Sequence, residues 1–110
     1  MTSWFVYILN CRGGRLYTGV ALDVERRFAQ HLAGKGARFT RAFPPDSILV
    51  SWCCANRRVA LQLEYAIKQL SAPQKQALIA GQSVKLSSQL VLEHGVWCEP
   101  CSAIEAECIS

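Results

Sequence analysis

A chain of 110 residues, 51% hydrophobic and 18% charged, has the length of one domain and enough apolar mass for a core, which excludes wholesale disorder. No apolar run reaches the ~20 residues that cross a bilayer, and residues 1–4 carry neither a basic nor an apolar signal-peptide region, so the expectation is a cytoplasmic protein with no membrane partner. The net charge of +4 is uneven: residues 1–80 hold 11 Lys/Arg against 4 Asp/Glu, while residues 81–110 hold Lys85 against Glu93, Glu99, Glu105 and Glu107. A basic body with an acidic end suits a polyanionic partner bound through phosphate contacts.

Residues 3–10, SWFVYILN, are rich in aromatic and β-branched side chains and predict a strand. The CRGG that follows supplies a turn, and residues 15–20, RLYTGV, predict a second strand paired with the first. With a period of two, Phe5, Tyr7 and Leu9 share one face of the first strand, and Leu16, Thr18 and Val20 share a face of the second. Asp23 is placed to cap a helix over residues 24–33, in which Val24, Arg27, Phe28 and His31 fall on one side. A polar pair on the edge of an apolar stripe either faces a site or snorkels along the rim, and the spacing leaves both open.

Residues 34–46, GKGARFTRAFPPD, contain two glycines and two prolines and predict a loop. Lys35, Arg38 and Arg41 alternate there with Phe39 and Phe43, a pattern suited to phosphate and base contact, or to aromatic lids over the core. Residues 47–54, SILVSWCC, predict a third, central strand. Asn56 is placed to cap a helix over residues 57–70 with Val59, Leu63, Ala66 and Leu70 as its core face. Glu64 lies close to that face, where a carboxylate needs a cation or a metal as partner. Ser71 and Pro73 open a short third helix that Gly81 closes. Beyond Gln82 the pattern fits a strand, a helix or a packed arm equally.

The six cysteines are Cys11, Cys53, Cys54, Cys98, Cys101 and Cys108. Cys53 and Cys54 lie in an apolar segment and are expected to be buried thiols. Cys98 and Cys101 have Cys-x-x-Cys spacing and, with His94 and Cys108, could complete four zinc ligands, although the second tight pair usual in zinc sites is missing.

Several stretches together resemble the GIY-YIG endonuclease superfamily, most closely its small stand-alone bacterial, YhbQ-like branch. Val6-Tyr7-Ile8 stands for the first signature and Tyr17-Thr18-Gly19 for the second; DVERRFAQH, GKGARFTR and LEYAIKQLS match the helix, loop and acidic-helix segments that follow. The first tripeptide shares only its tyrosine with the family pattern, Thr18 replaces an isoleucine, and no asparagine occurs in residues 71–81, where Gln76 is the nearest amide. The resemblance covers residues 4 to about 80. It implies an α/β (α+β) fold with a small, largely antiparallel three-stranded sheet flanked by helices. A nuclease-like domain is expected at residues 1–81 and an extension at residues 82–110, where a homodimer or a protein partner stays open.

The resemblance further implies a metal-dependent endonuclease acting on DNA, with RNA not excluded. Tyr7 is its expected general base, with Tyr17 hydrogen-bonding nearby and His31 relaying the proton or binding phosphate. Arg27 is suited to the non-bridging oxygens, since its planar fork matches phosphate, and Arg26 points elsewhere and can reach a bound strand. Glu64 is the expected ligand of one Mg²⁺ (or Mn²⁺), which often takes only one or two carboxylates. Arg26, Lys35, Arg38, Phe39 and Arg41 form the expected nucleic-acid contact. The competing readings are a non-catalytic nucleic-acid binding module and a zinc- or thiol-based regulator working through the C-terminal cysteines.

Overall fold

The first two strands pair as their residues require. In a computed structural model of the protein, which describes residues 3–82, 84, 86, 90–93 and 95–99, β1 (Trp4–Cys11) and β2 (Arg15–Ala21) run antiparallel. A single 3-10 turn, Arg12–Gly14, joins them, and Gly13 and Gly14 take φ of 79° and 73°, where a side chain would be strained. The register sets Tyr7 opposite Gly19 and Leu9 opposite Tyr17.

Helix α1 (Val24–Leu32) begins at Asp23, whose carboxylate accepts from the Arg26 backbone N–H at 3.1 Å. The segment expected to be a loop contains a short helix, α2 (Arg38–Ala42). Its glycines and prolines flank the helix rather than interrupt it, so the composition of residues 34–46 concealed five residues free to wind. β3 (Pro45–Cys54) returns antiparallel along the other edge of β1. α3 (Arg57–Lys68) starts at Asn56, which accepts from Val59 N–H at 2.9 Å. α4 (Ala72–Ile79) starts at Ser71 with a full capping box to Gln74.

The sheet has five strands, in the order β2-β1-β3-β5-β4, rather than the three expected. The additional pair, β4 (Val91–Glu93) and β5 (Val96–Cys98), is a hairpin beyond Gln82 with Gly95 at φ 79° between its strands. Each strand is three residues long, too short for alternation to separate strand from helix in the sequence. β5 pairs with β3 in parallel at Cys53–Val96 and Cys54–Trp97; the other three pairings are antiparallel.

The core lies on both faces of β1, whose Val6, Tyr7, Ile8 and Leu9 are at most 1% exposed. Val6 and Ile8 pack against Val59, Ala60, Leu63 and Ile67 of α3. Tyr7, Leu9 and Cys11 pack on the opposite face with Val24 and Phe28 of α1. β3 is the middle strand by order, yet β5 reaches only its last two residues and Leu49 stays exposed. The strand sealed on both faces is therefore β1, which positions Tyr7. Cys54 is buried, and that burial pushes its thiol up to about 11. Of the proposed zinc set, Cys98 is half-buried on β5, while His94, Cys101 and Cys108 lie outside the described residues.

Candidate active site

The site forms at the free edge of the sheet, on β2. Tyr7 projects from β1 across Gly19, and a Cβ at Gly19 would lie 2.5 Å from the Tyr7 hydroxyl and 2.6 Å from its Cζ. Glycine at this position lets the phenol ring cross the strand. Tyr17, two residues earlier on the same face, sets its ring 6.4 Å from that of Tyr7.

Helix α1 brings His31 and Arg27 to the phenols. His31 is 1% exposed, and its Nε2 lies 2.9 Å from the Tyr7 hydroxyl. Its Nδ1 lies 2.7 Å from Thr40 Oγ1 on α2, and the Thr40 hydroxyl donates in turn to the Ala37 carbonyl at 2.9 Å. The Tyr17 ring meets the imidazole edge-on at 5.2 Å. A Cβ on Gly36 would overlap the imidazole, so the backbone there forms one wall of the histidine's slot. Thr40 and Gly36 belong to the segment GKGARFTR, but sequence reasoning gave them no role. The signal that Thr40 turns inward is the helical winding of α2, which the composition hid.

Arg27 is half-buried and donates to Gln30 Oε1 at 3.0 Å, whereas Arg26 is exposed. Arg27 acts on the Tyr7 hydroxyl, while Arg26 lies in solvent. Glu64 arrives from α3, the helix that covers the opposite face of the sheet. Its charge still acts on both phenols, raising Tyr7 and Tyr17.

Burial dominates the ionisation of the group. It pushes the Tyr7 hydroxyl up to about 12, with Tyr17 and Glu64 adding to the rise and the Arg27 guanidinium opposing it by hydrogen bonding and charge. Tyr17 is raised for the same leading reason. His31 is lowered by burial and by Arg27, which favours the neutral imidazole. At neutral pH the protein therefore holds two protonated phenols against an uncharged histidine.

Around this centre the basic residues face outward. Lys35, Arg38 and Arg41 are exposed, and Phe39 is 36% exposed while stacking on Tyr17 at 5.9 Å and 27°. Phe43 continues the row 5.3 Å from Phe39, and the Arg15 guanidinium lies 4.0 Å over the Phe43 ring. Gln76 is exposed on α4.

No group of three His, Cys, Asp or Glu gathers among the described residues, so they hold no all-protein metal cage. Glu64 suits a less enclosed site. Its side chain is 21% exposed, and its Oε2 pairs with Lys68 Nζ at 3.4 Å. A hard cation that keeps most of its waters fits one such carboxylate.

The GIY-YIG catalytic domain matches residues 3–77, which include every member of this constellation, and the chain belongs to that family. Its members are generally endonucleases that act on nucleic acid with divalent metals. Within the family the chain is similar to small stand-alone bacterial proteins. It is 46% identical over 82 residues to a UPF0213 protein of Cronobacter sakazakii, covering 74% of this chain and 86% of that one. To the UPF0213 protein YhbQ of Escherichia coli O127:H6 it is 44% identical over 80 residues, covering 73% and 80%. The solution NMR structure of the UPF0213 protein BH0048 from Bacillus halodurans is 38% identical, covers 71% of this chain and 83% of its own, and superposes with a TM-score of 0.47. No helix among the described residues is long and apolar enough to cross a membrane.

Proposed function

We propose that this protein is a divalent-metal-dependent endonuclease that hydrolyses phosphodiester bonds in DNA, with single-stranded or branched DNA preferred, in repair, recombination or DNA processing. The catalytic unit in this reading is residues 1–81. The observation that carries the reading is the 2.9 Å contact between the Tyr7 hydroxyl and His31 Nε2. It resolves a chemical difficulty: a phenol pushed up to about 12 does not ionise at neutral pH and is a poor base by itself.

Coupled to a neutral imidazole, the phenol need never become a free phenolate. As the attacking water gives its proton to the Tyr7 oxygen, the Tyr7 O–H proton passes to His31 Nε2. The water oxygen bonds to phosphorus and the bond from phosphorus to the leaving 3′ oxygen breaks. Arg27, half-buried and fork-shaped, holds the non-bridging oxygens as their charge grows. Tyr17 orients the water or the Tyr7 hydroxyl. Proton transfer of this kind contributes about 10²–10⁴-fold. Glu64 is the residue that would hold Mg²⁺ or Mn²⁺, and a bound divalent cation would supply charge neutralisation for the leaving oxygen. Arg38, Arg41 and Lys35 supply phosphate contacts beside the centre, Arg26 reaches the strand further along, and Phe39 offers a stacking face to an unpaired base.

The test is a cleavage screen on labelled single-stranded, duplex and branched DNA, with RNA alongside, in Mg²⁺ or Mn²⁺. The expected result is metal-dependent cutting that Glu64→Ala abolishes while binding persists. Wild-type cutting in excess EDTA would overturn the metal role. Binding without cutting of any substrate under either metal would replace the enzyme with a binding module.

A further inference from the structure

The hydrogen-bond chain at His31 has a direction, and Thr40 sets it. A threonine hydroxyl carries one hydrogen, and that of Thr40 is given to the Ala37 carbonyl at 2.9 Å. Its oxygen can then only accept from His31 Nδ1 at 2.7 Å. A neutral imidazole has one N–H, so with Nδ1 protonated Nε2 presents a bare lone pair to Tyr7. The far end of the chain requires the same direction. The buried Tyr7 hydroxyl has His31 Nε2 as its hydrogen-bond acceptor among the described residues; of the other groups acting on it, Arg27 hydrogen-bonds only as a donor, and Tyr17 and Glu64 act through charge. The opposite tautomer would leave the buried Tyr7 O–H without a hydrogen-bond acceptor among the described residues.

We infer that Thr40 is a positioning residue that holds His31 in its Nδ1–H tautomer, so that Nε2 is free to take the proton of Tyr7. The inference rests on the proton-relay reading of the site but concerns a residue outside the relay. Gly36 supports it by closing the slot beside the imidazole, which keeps the ring from sliding away from the threonine. The placement also links two tasks. α2 turns Thr40 inward, 1% exposed, and turns Arg38, Phe39 and Arg41 outward, so the element offered to nucleic acid is the one that orders the histidine.

Nitrogen-15 NMR of the imidazole in the free protein, without metal or DNA, tests this. The wild type is expected to show His31 protonated at Nδ1 and bare at Nε2. Thr40→Val keeps the shape and removes the acceptor, and is expected to shift the population towards the Nε2–H form; Thr40→Ser restores the wild-type signature. In the cleavage assay Thr40→Val is expected to lower kcat by about 10–100-fold with KM for DNA unchanged, again recovered by serine. A wild-type His31 protonated at Nε2 would overturn the inference, even if the valine variant failed to fold. So would a tautomer that Thr40→Val leaves unmoved. Because the tautomer is read without turnover, a protein that proves unable to cut DNA would overturn the nuclease proposal and leave this result to be judged separately.

Discussion

Replacing Gly19 with alanine adds one methyl group at the closest approach in the site. The new Cβ would stand 2.5 Å from the Tyr7 hydroxyl, 2.6 Å from Tyr7 Cζ and 3.0 Å from Tyr17 Cε2. Comfortable separations between such atoms are about 3.5–4.0 Å, so the Tyr7 ring or the β2 backbone must move by about 1 Å. Neither moves freely: Tyr7 is 1% exposed, and β1 is paired on both edges. Overpacking of this kind costs about 1–3 kcal/mol. At about 4–8 °C per kcal/mol for a domain of this size, Tm should fall by at least about 4 °C. The catalytic loss should be larger than the loss of stability implies. A shift of about 1 Å takes the hydroxyl off its 2.9 Å contact with His31, and misplacement on that scale costs about 100-fold in rate. The assays are thermal unfolding and single-turnover cleavage under saturating Mg²⁺. Gly19 has no left-handed backbone to complicate the comparison. Wild-type Tm together with wild-type rate in Gly19→Ala would refute the close packing of Tyr7 over β2 and the catalytic argument built on it.

Three further outcomes follow from charge. His31 is lowered from 6.5 in the folded protein, so as pH falls below 6.5 the unfolded chain takes the proton first and stability is lost; Tm measured against pH should bend downward there, and His31→Gln should remove that bend. Tyr7 is raised from 10.0 to about 12, so its contribution is complete below pH 10 and is lost as pH rises towards 12, where the unfolded chain gives up its proton first; Tyr7→Phe should reduce the alkaline decline in Tm. Arg38→Ala with Arg41→Ala should weaken DNA binding and lower the slope of log affinity against log salt by about 0.7–0.9 for each phosphate contact removed, and an unchanged slope would take α2 out of the interface.

Much of the architecture was legible in local signals. Asp23, Asn56 and Ser71 cap helices because each side chain accepts from a backbone N–H three residues on, a bond fixed within a single turn. The Tyr7–Leu9 and Leu16–Val20 alternation placed the correct faces because a strand's period does not depend on its neighbours. For the same reason the helical spacing of Arg27 and His31 identified them as a pair before any tertiary contact was known. Two elements escaped. α2 lay hidden among turn-forming residues, and the β4–β5 hairpin consists of strands too short to carry a period.

What the sequence by itself determined, then, is the hairpin, the capped helices and the set of phenol, guanidinium, imidazole and carboxylate groups, since each is written in spacings of two, three or four residues. The tertiary structure decided how those groups meet. Only the packing of α1 and α3 on the two faces of β1 brings His31 to Tyr7 and puts both phenols under the charge of Glu64. Only the inward turn of α2 sets Thr40 against His31, and burial above all pushes the Tyr7 hydroxyl up from its ordinary value to about 12. Those features depend on distances through space and on the exclusion of water, neither of which a linear spacing records.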